Sequence, residues 1–596
     1  MIVTFSIWSY RYYLCIMQRL LLVIFLLFFA GSFCHATKVD TALLTPFERS
    51  NGTETATYAQ ARDFYKMLFN KFHNIMISDL GMTDIGIPLR AVYYTKDAKY
   101  NLEDWKQNNR VVILINNDIH PGEPDGVDAS MMLIRDAVTG KLNIPDNIVL
   151  AIIPVYNIGG ALNRNNTSRA NQNGPVSYGF RGNARNLDLN RDFAKCDADE
   201  TRDLEDLIAT INPDIFIDNH VSDGADYQHI MTLLTTQHDK LGGETGAYMY
   251  KTFTPLLYKD MKNRGYDLVP YVNDFDKTPD NGWREFYELP RFSSGYAALF
   301  HIMAYVPETH MLKPFDKRVK ATYDLMLSFI KTASEHASEI KKVRADDSKS
   351  LLSQNEFVLD WRPDTTRCDS VLFKGYKAGY KESNVSGLPR LYYDETKPYT
   401  KMVPFYDHFI PVKSVTAPMA YIIPKTWVTV IGVLKKNGVR FGRLLSDTTI
   451  AVTAYHIDDY ETLDHPYEKH YMHKNVQVTP VKTKLQFAEG DYVIPVFQPA
   501  KRYLVEMLEP TAPDAFFAWN YFDGILQQKE YFSDYVFDDV AGKLLEKDTV
   551  LKALLKEKQK NDPVFAKDAN AQLEFVYKHS TYMETGYLRY PVYRME

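Results

Sequence analysis

Apolar positions along this chain follow more than one period, and the change between them divides it. Over residues 58–73, "YAQARDFYKMLFNKFH", Tyr58, Ala61, Tyr65, Leu68 and Phe72 recur at the spacing of one helix face. "IPLRAVYYT" then reads as a strand. "RVVILINNDIH" and "IVLAIIPVYN" open on continuous apolar runs, as strands covered on both faces do. "VDASMMLIRDAV" and "DETRDLEDLIATIN" read as helices, and "PDIFIDNH" is a short apolar run that closes on a histidine. Strands alternating with helices predict a mainly parallel sheet covered on both sides, with its site at polar strand tips. "FDKRVKATYDLMLSFIKTASEHASEI" sets Val319, Tyr323, Met326 and Ile330 on one face and predicts a closing helix.

The texture changes after that helix. A polar stretch over 344–355 reads as a linker between a first domain, 37–343, and a β-rich module, 356–596. In the module "PMAYIIPKTWVTVIGVL", "TTIAVTAYHI", "VQVTPVKTKLQF" and "GDYVIPVF" are short β-branched and aromatic segments between turn residues. That is the pattern of a β-sandwich or barrel. The last stretch, from "VAGKLLEKD" to "EFVYKH", is helical with a charged, solvated face, and no internal repeat interrupts the pattern.

Composition narrows the setting. A hydrophobic share of 45% and an aromatic share of 13% suffice for a sizeable core. A formal net charge of −6 gives no reason to expect nucleic acid or an anionic membrane as partner. At the N-terminus Arg19 precedes an apolar run over 20–30 that ends in small residues and Cys34-His35-Ala36, so 1–36 reads as a signal peptide. The run is short of the roughly 20 residues a spanning helix needs. The expectation is an exported protein, periplasmic or extracellular, with no transmembrane segment in the mature chain. Cys196 and Cys368 then remain, and two cysteines make at most one bridge.

Candidate chemistry begins at "ILINNDIHPGEPDG". A turn leaving a strand can aim His120 and Glu123 at one point, and both donor types suit Zn²⁺. A catalytic zinc takes three protein ligands, and His220, closing "PDIFIDNH", is the candidate third. In "GNARNLDLNRDF", Asp188 is suited to accept the free ring N–H of a ligating histidine, and Arg191 beside Asn190 offers a planar fork matched to a carboxylate. "ALFHIMAYVPETHM" delivers Glu308 at the end of an apolar segment, a carboxylate suited to take a proton from attacking water. Each of these alone has an ordinary structural explanation.

Taken in order, H-x-x-E, D-x-N-R, a strand-end histidine and a late glutamate resemble the zinc metallocarboxypeptidases of the carboxypeptidase A type, over about residues 40–335. "GMTDIGIPLRAVYYT" is similar to that family's entry strand, and "PVYNIGGALNRNN" stands where the family has N-P-D-G. The resemblance implies a mixed, roughly eight-stranded sheet flanked by helices. It implies one zinc held by His120, Glu123 and His220, with Glu308 as general base. Asn190 and Arg191 would hold the terminal carboxylate of a peptide or protein substrate. For the family's carbonyl-polarising arginine, order and spacing favour Arg169 over Arg164. For its substrate-covering tyrosine, Tyr287 has closer spacing than Tyr296. The context of Glu308, "YVPETHM", departs from the aromatic setting of the best-known members.

Other readings keep part of this set. The same motifs fit a zinc deacylase of N-acyl amino acids, or a peptidase acting on peptidoglycan stem peptides. A peptide- or glycan-binding pseudoenzyme is the non-enzymatic alternative, although a binding protein needs no proton acceptor. "YHIDDYETLDHPYEKHYMHK", rich in His and Asp, fits no metal template and reads as a surface loop.

Overall fold

The apolar runs become the buried strands of one sheet in a computed structural model that describes residues 41–273 and 277–596. The signal-peptide expectation falls on 1–36 and lies outside the described residues. In chain order the strands are β1 (Ile75–Met82), β2 (Pro88–Tyr94), β3 (Val111–Asn116), β4 (Ile148–Ile153), β5 (Ile215–Asp218), β6 (His220–Ser222) and β7 (Met231–Thr235). A two-residue strand, β8 (Trp283–Arg284), belongs to another sheet, and β9 (Met303–His310) completes the first. Its order is β1-β2-β4-β3-β5-β9-β6, with β7 pairing β9.

The sheet is mixed. β3, β4, β5, β6 and β9 run parallel, and β1, β2 and β7 pair antiparallel. β3 and β4 are buried at every residue, which explains why their sequences are apolar throughout. The flanking helices are α1 (Tyr58–Lys71), α2 (Asp125–Val138), α3 (Asp199–Ile211), the short α4 (His238–Leu241) and α5 (Phe315–Glu335). Thr57 starts α1 through a capping box with Gln60. Asn212, left-handed at φ 43°, ends α3.

Two expectations change beyond α5. The polar stretch 344–355 is no linker, because most of it continues a helix, α6 (Ala337–Ser353). That helix buries Ile340, Arg344, Asp347 and Leu351, and Arg344 Nη1 donates to Asp214 Oδ1 at 2.7 Å. Its charged residues are therefore packed, which composition does not reveal. The second change is in "TWVTVIGVL", which is not a strand but α7 (Val428–Lys436). It buries Val430, Ile431, Val433 and Leu434, an instance of packing overriding β-propensity.

The β-rich region is antiparallel but for one short parallel pairing, and is built from three sheets. β10 (Glu356–Pro363) pairs β13 (Phe409–Thr416). β11 (Asp369–Glu382) and β12 (Pro389–Tyr406) form a long hairpin that also takes in β8. β14 (Ala420–Ile423), β15 (Gly442–Arg443), β16 (Thr448–Thr462), β17 (His473–Phe487), β18 (Tyr492–Pro495) and β19 (Tyr593–Met595) make a six-stranded sheet. The chain from Thr45 to Glu596 is one unit. Its largest apolar cluster runs without a break from Leu89, Leu114 and Phe216 to Tyr421, Leu434 and Tyr503. Three helices, Asp534–Lys547, Thr549–Asn561 and Ala569–Lys578, pack around their own smaller cluster. Among the described residues no helix is long and apolar enough to cross a membrane. Cys196 and Cys368 are both free.

A buried ion pair ties the site-bearing turn to α5. Arg318, fully buried, donates from Nε to Asp125 Oδ2 at 2.9 Å and also to the carbonyls of Asn173, Gly174 and Lys313. Replacing Arg318 by Leu leaves Asp125 buried without its counter-charge, at a cost of about 3–5 kcal/mol. Urea unfolding of the variant is expected to show that loss; a loss below about 1 kcal/mol would mean that Asp125 is satisfied without the arginine.

Candidate active site

The sequence turns at the end of β3 because Asp118 adopts the left-handed region, φ 62°, which aspartate tolerates better than most residues. The next residues bring His120 and Glu123 over the sheet's carboxyl edge. Gly122 between them has no room for a side chain, since a Cβ there would stand 2.7 Å from Arg169 Cδ. From a separate strand, β6 carries His220. His120, Glu123 and His220 are all buried, and one donor atom from each lies within 4.8 Å of the other two.

The histidines are oriented alike. His120 Nδ1 lies 3.4 Å from Glu123 Oε1, and His220 Nδ1 lies 3.1 Å from Glu123 Oε2. Tetrahedral bonds of 2.0–2.1 Å would set donors about 3.3 Å apart. Each outward Nε2 meets a carboxylate: Asp188 Oδ1 at 2.9 Å for His120, and Asp218 Oδ2 at 3.1 Å for His220. His120 Nδ1 is buried and has no hydrogen-bond partner. An orphaned, inward-facing ring nitrogen beside a carboxylate and a second imidazole is a donor set that fits a divalent cation. Burial opposes ionisation of Glu123, but Arg169 and His120 hold it well below the usual carboxylate range. Burial likewise opposes ionisation of Asp188, and His120, Arg181 and Arg191 outweigh it.

Glu308 stands directly across from His220 in the β6–β9 register. Burial, together with the carboxylates of Glu123 and Glu288, pushes Glu308 up to about 8, against the pull of His220 and Arg169. A dication held by the three donors would work in the opposite direction, favouring the carboxylate.

These groups face a cleft of about 610 Å³ that also takes in Asn190, Arg191 and Arg169. Arg169 donates from Nη1 to Glu123 Oε1 at 2.7 Å and from Nη2 to the Val221 carbonyl at 2.8 Å. Arg191 sits over the Phe292 ring, 4.4 Å from its centroid, and Asn190 Oδ1 accepts the Ser293 N–H. Arg164 is elsewhere, donating to the Ser177 carbonyl. Tyr287 is not in the cleft either. Its ring stacks on Phe409 at 5.0 Å with the Lys240 ammonium over it, so the β-rich region holds it away. Tyr296 is fully buried and donates to Asn437 Oδ1. The tyrosine that lines the cleft is Tyr271.

Sequence reading also missed Arg181, Asp218 and Glu288. Asp218 was legible, because alternation along a strand puts it on the same face as His220. Arg181 and Glu288 carried no such signal. Arg181 Nε donates to Asp188 Oδ2 at 2.9 Å, and Glu288 lines the cleft wall. Of the stretch 455–474 read as a surface loop, both ends belong to strands β16 and β17, and the loop between them, 463–472, docks beside the site. Glu468 Oε2 accepts the Asp188 N–H at 2.8 Å and His470 Nε2 lies 2.7 Å from Asp197 Oδ2.

No family model matches the chain. It is 20% identical over 442 residues to Carboxypeptidase 2 of Trichophyton equinum, covering 71% of this chain and 76% of that protein. It is 21% identical over 428 residues to Carboxypeptidase 2 of Trichophyton rubrum, covering 69% and 73%. Over most of its length the chain is thus similar to proteins named as carboxypeptidases. Among solved structures it is similar to the metallo-carboxypeptidase from Burkholderia cenocepacia, with 13% identity, coverage of 47% of this chain and 70% of that one, and a TM-score of 0.35. Carboxypeptidase A from Helicoverpa armigera gives 14%, 48%, 74% and 0.36 for the same quantities.

Asp188 and Asp218 each hold the outward nitrogen of one of the two histidines. Asp188→Ala and Asp218→Ala are each expected to weaken metal binding by about 10–100-fold. Competition against a chromophoric chelator measures this, and unchanged affinity in both would remove their orienting role.

Proposed function

We propose that this protein is an exported, zinc-dependent carboxypeptidase that removes C-terminal residues from peptides. The register of His220 opposite Glu308 carries the proposal, because it sets a carboxylate one strand away from three converging donors. His120 and His220, each through Nδ1, and Glu123 would hold the ion. Bound zinc supplies Lewis-acid activation of the attacking water and of the scissile carbonyl.

The remaining chemistry belongs to the side chains. Glu308, ionised, takes a proton from the attacking water and returns it to the leaving amine. Arg169, fixed against Glu123 and the Val221 carbonyl, presents positive charge in the cleft where the oxyanion develops. Arg191 and Asn190 receive the substrate's terminal carboxylate. Arg191 is suited to that role because its guanidinium is stacked on Phe292 and has no carboxylate partner among the described residues. Such a clamp, one residue beyond the scissile bond, makes the action exopeptidic. A deacylase of N-acyl amino acids would use the same clamp; the extent of the relatives' match, 69–71% of this chain, favours peptides.

The test incubates zinc-loaded protein with a mixed peptide library and follows the products by mass spectrometry, with a chelated control. Stepwise loss of single C-terminal residues is expected, and C-terminal amides are expected to resist. Internal cleavage, or release of acyl groups alone, would overturn the reading. Glu308→Gln is expected to lose about 10²–10⁴ in kcat while keeping its zinc. Normal turnover by that variant would remove Glu308 as the base.

A further inference from the structure

A second group of donors converges outside the cleft, where the β-rich region meets the sheet. His238 and Asp239 open α4, and Asp407 and His408 form the bend between β12 and β13. The His238 and His408 rings meet edge to face, 5.4 Å between centroids. His238 Nε2 lies 3.6 Å from Asp239 Oδ2, and His408 Nε2 lies 3.7 Å from Asp407 Oδ1. One donor atom each from His238, Asp239 and His408 falls within a 4.8 Å span, and so does one each from Asp369, Asp407 and His408.

The donors are held from behind. Asp239 Oδ2 accepts the Phe409 N–H at 2.8 Å, and the His238 ring stacks on Tyr250 at 3.9 Å. Tyr250 in turn donates to Asp369 Oδ2 at 2.6 Å. Gln237 Nε2 also donates to Asp239 Oδ2, at 3.3 Å, so these contacts fix the side chains in place.

An independent observation points to a ligand. Asp407 is 4% exposed, yet its Oδ1, the oxygen facing His408, has no hydrogen-bond partner. Nearby Glu285 Oε2 is buried and unpartnered too. Among the described residues no Lys or Arg forms an ion pair with Asp239, Glu285, Asp369 or Asp407. A buried carboxylate oxygen left without a donor is costly, and several carboxylates sharing a site without a counter-charge more so. A cation would satisfy them together.

We propose that the two donor groups sharing His408, namely His238–Asp239–His408 and Asp369–Asp407–His408, form a second metal site, taking a dication of the zinc class, that clamps the β-rich region to the peptidase sheet. Two imidazoles with carboxylate oxygens select a borderline metal over magnesium or calcium. The neighbouring separations of 3.6 and 3.7 Å are a few tenths of an ångström wider than the edge of about 3.3 Å that tetrahedral zinc sets. None of these donors lines the cleft, so the site is structural. Its ion joins α4 to the β12–β13 bend, and its binding energy adds to the stability of that junction.

The test counts zinc in the full-length protein by mass spectrometry of the metal after removal of loosely held ions. Two equivalents per chain are expected for the unmodified protein, and one for each of His120→Ala and His408→Ala. His408→Ala is expected to retain peptide trimming and to melt lower. Should His408→Ala fail to fold, His120→Ala decides alone: it must still bind one equivalent and melt higher in zinc than in chelator. A single equivalent that disappears in His120→Ala overturns this second site and leaves the cleft reading intact. Two equivalents surviving in folded His408→Ala overturn it as well. A single equivalent lost in His408→Ala but kept in His120→Ala would support this site and refute metal binding in the cleft.

Discussion

The short parallel pairing of β6 with β9 is the constraint on which the site depends. It sets His220 opposite Glu308 and Ser222 opposite His310. Side chains alternate along a strand, so a shift of one residue would turn either His220 or Glu308 away from the cleft. β9 is held on both sides, by β5 and β6 along one edge and by β7 along the other. That double pairing leaves the register no freedom to slip.

A buried polar network then locks the turn that carries the other two donors to this register. Thr309, next to Glu308, donates to Asp125 Oδ2 at 2.5 Å, and Asp125 follows Glu123 by two residues. Arg318 from α5 completes the contact. His120, Glu123, His220 and Glu308 come from three chain segments, and this network lets them share one geometry. The cost of burying Asp125 and Arg318 is offset only because each hydrogen-bonding group there finds a partner.

The β-rich region belongs to the same unit. Its loop 463–472 supports Asp188 through Glu468, and Asp514 receives both the backbone N–H and the Nε of Arg291 beside the Phe292 wall. The same region draws Tyr287 onto Phe409 and out of the cleft. A tyrosine at family-like spacing is thereby given to packing, and Tyr271 takes the cleft wall. The region thus acts on the site from outside, through the backbone and rings on which the cleft residues rest.

The sequence by itself determined the sheet strands, because their apolar runs and helix-spaced neighbours leave few other ways to bury them. It also singled out His120, Glu123, His220 and Glu308, residue types whose order carries chemistry and which all line one cleft. Asp218 was readable from strand alternation alone. Only the tertiary structure decided that 344–353 is helix, that "TWVTVIGVL" coils against α3, and which arginine and tyrosine reach the cleft. It alone brought His408 to His238 and Asp239. The physical reason is range. Periodicity and ligand spacing are properties of neighbours along the chain, whereas these outcomes depend on which surfaces, more than a hundred residues apart, bury each other best.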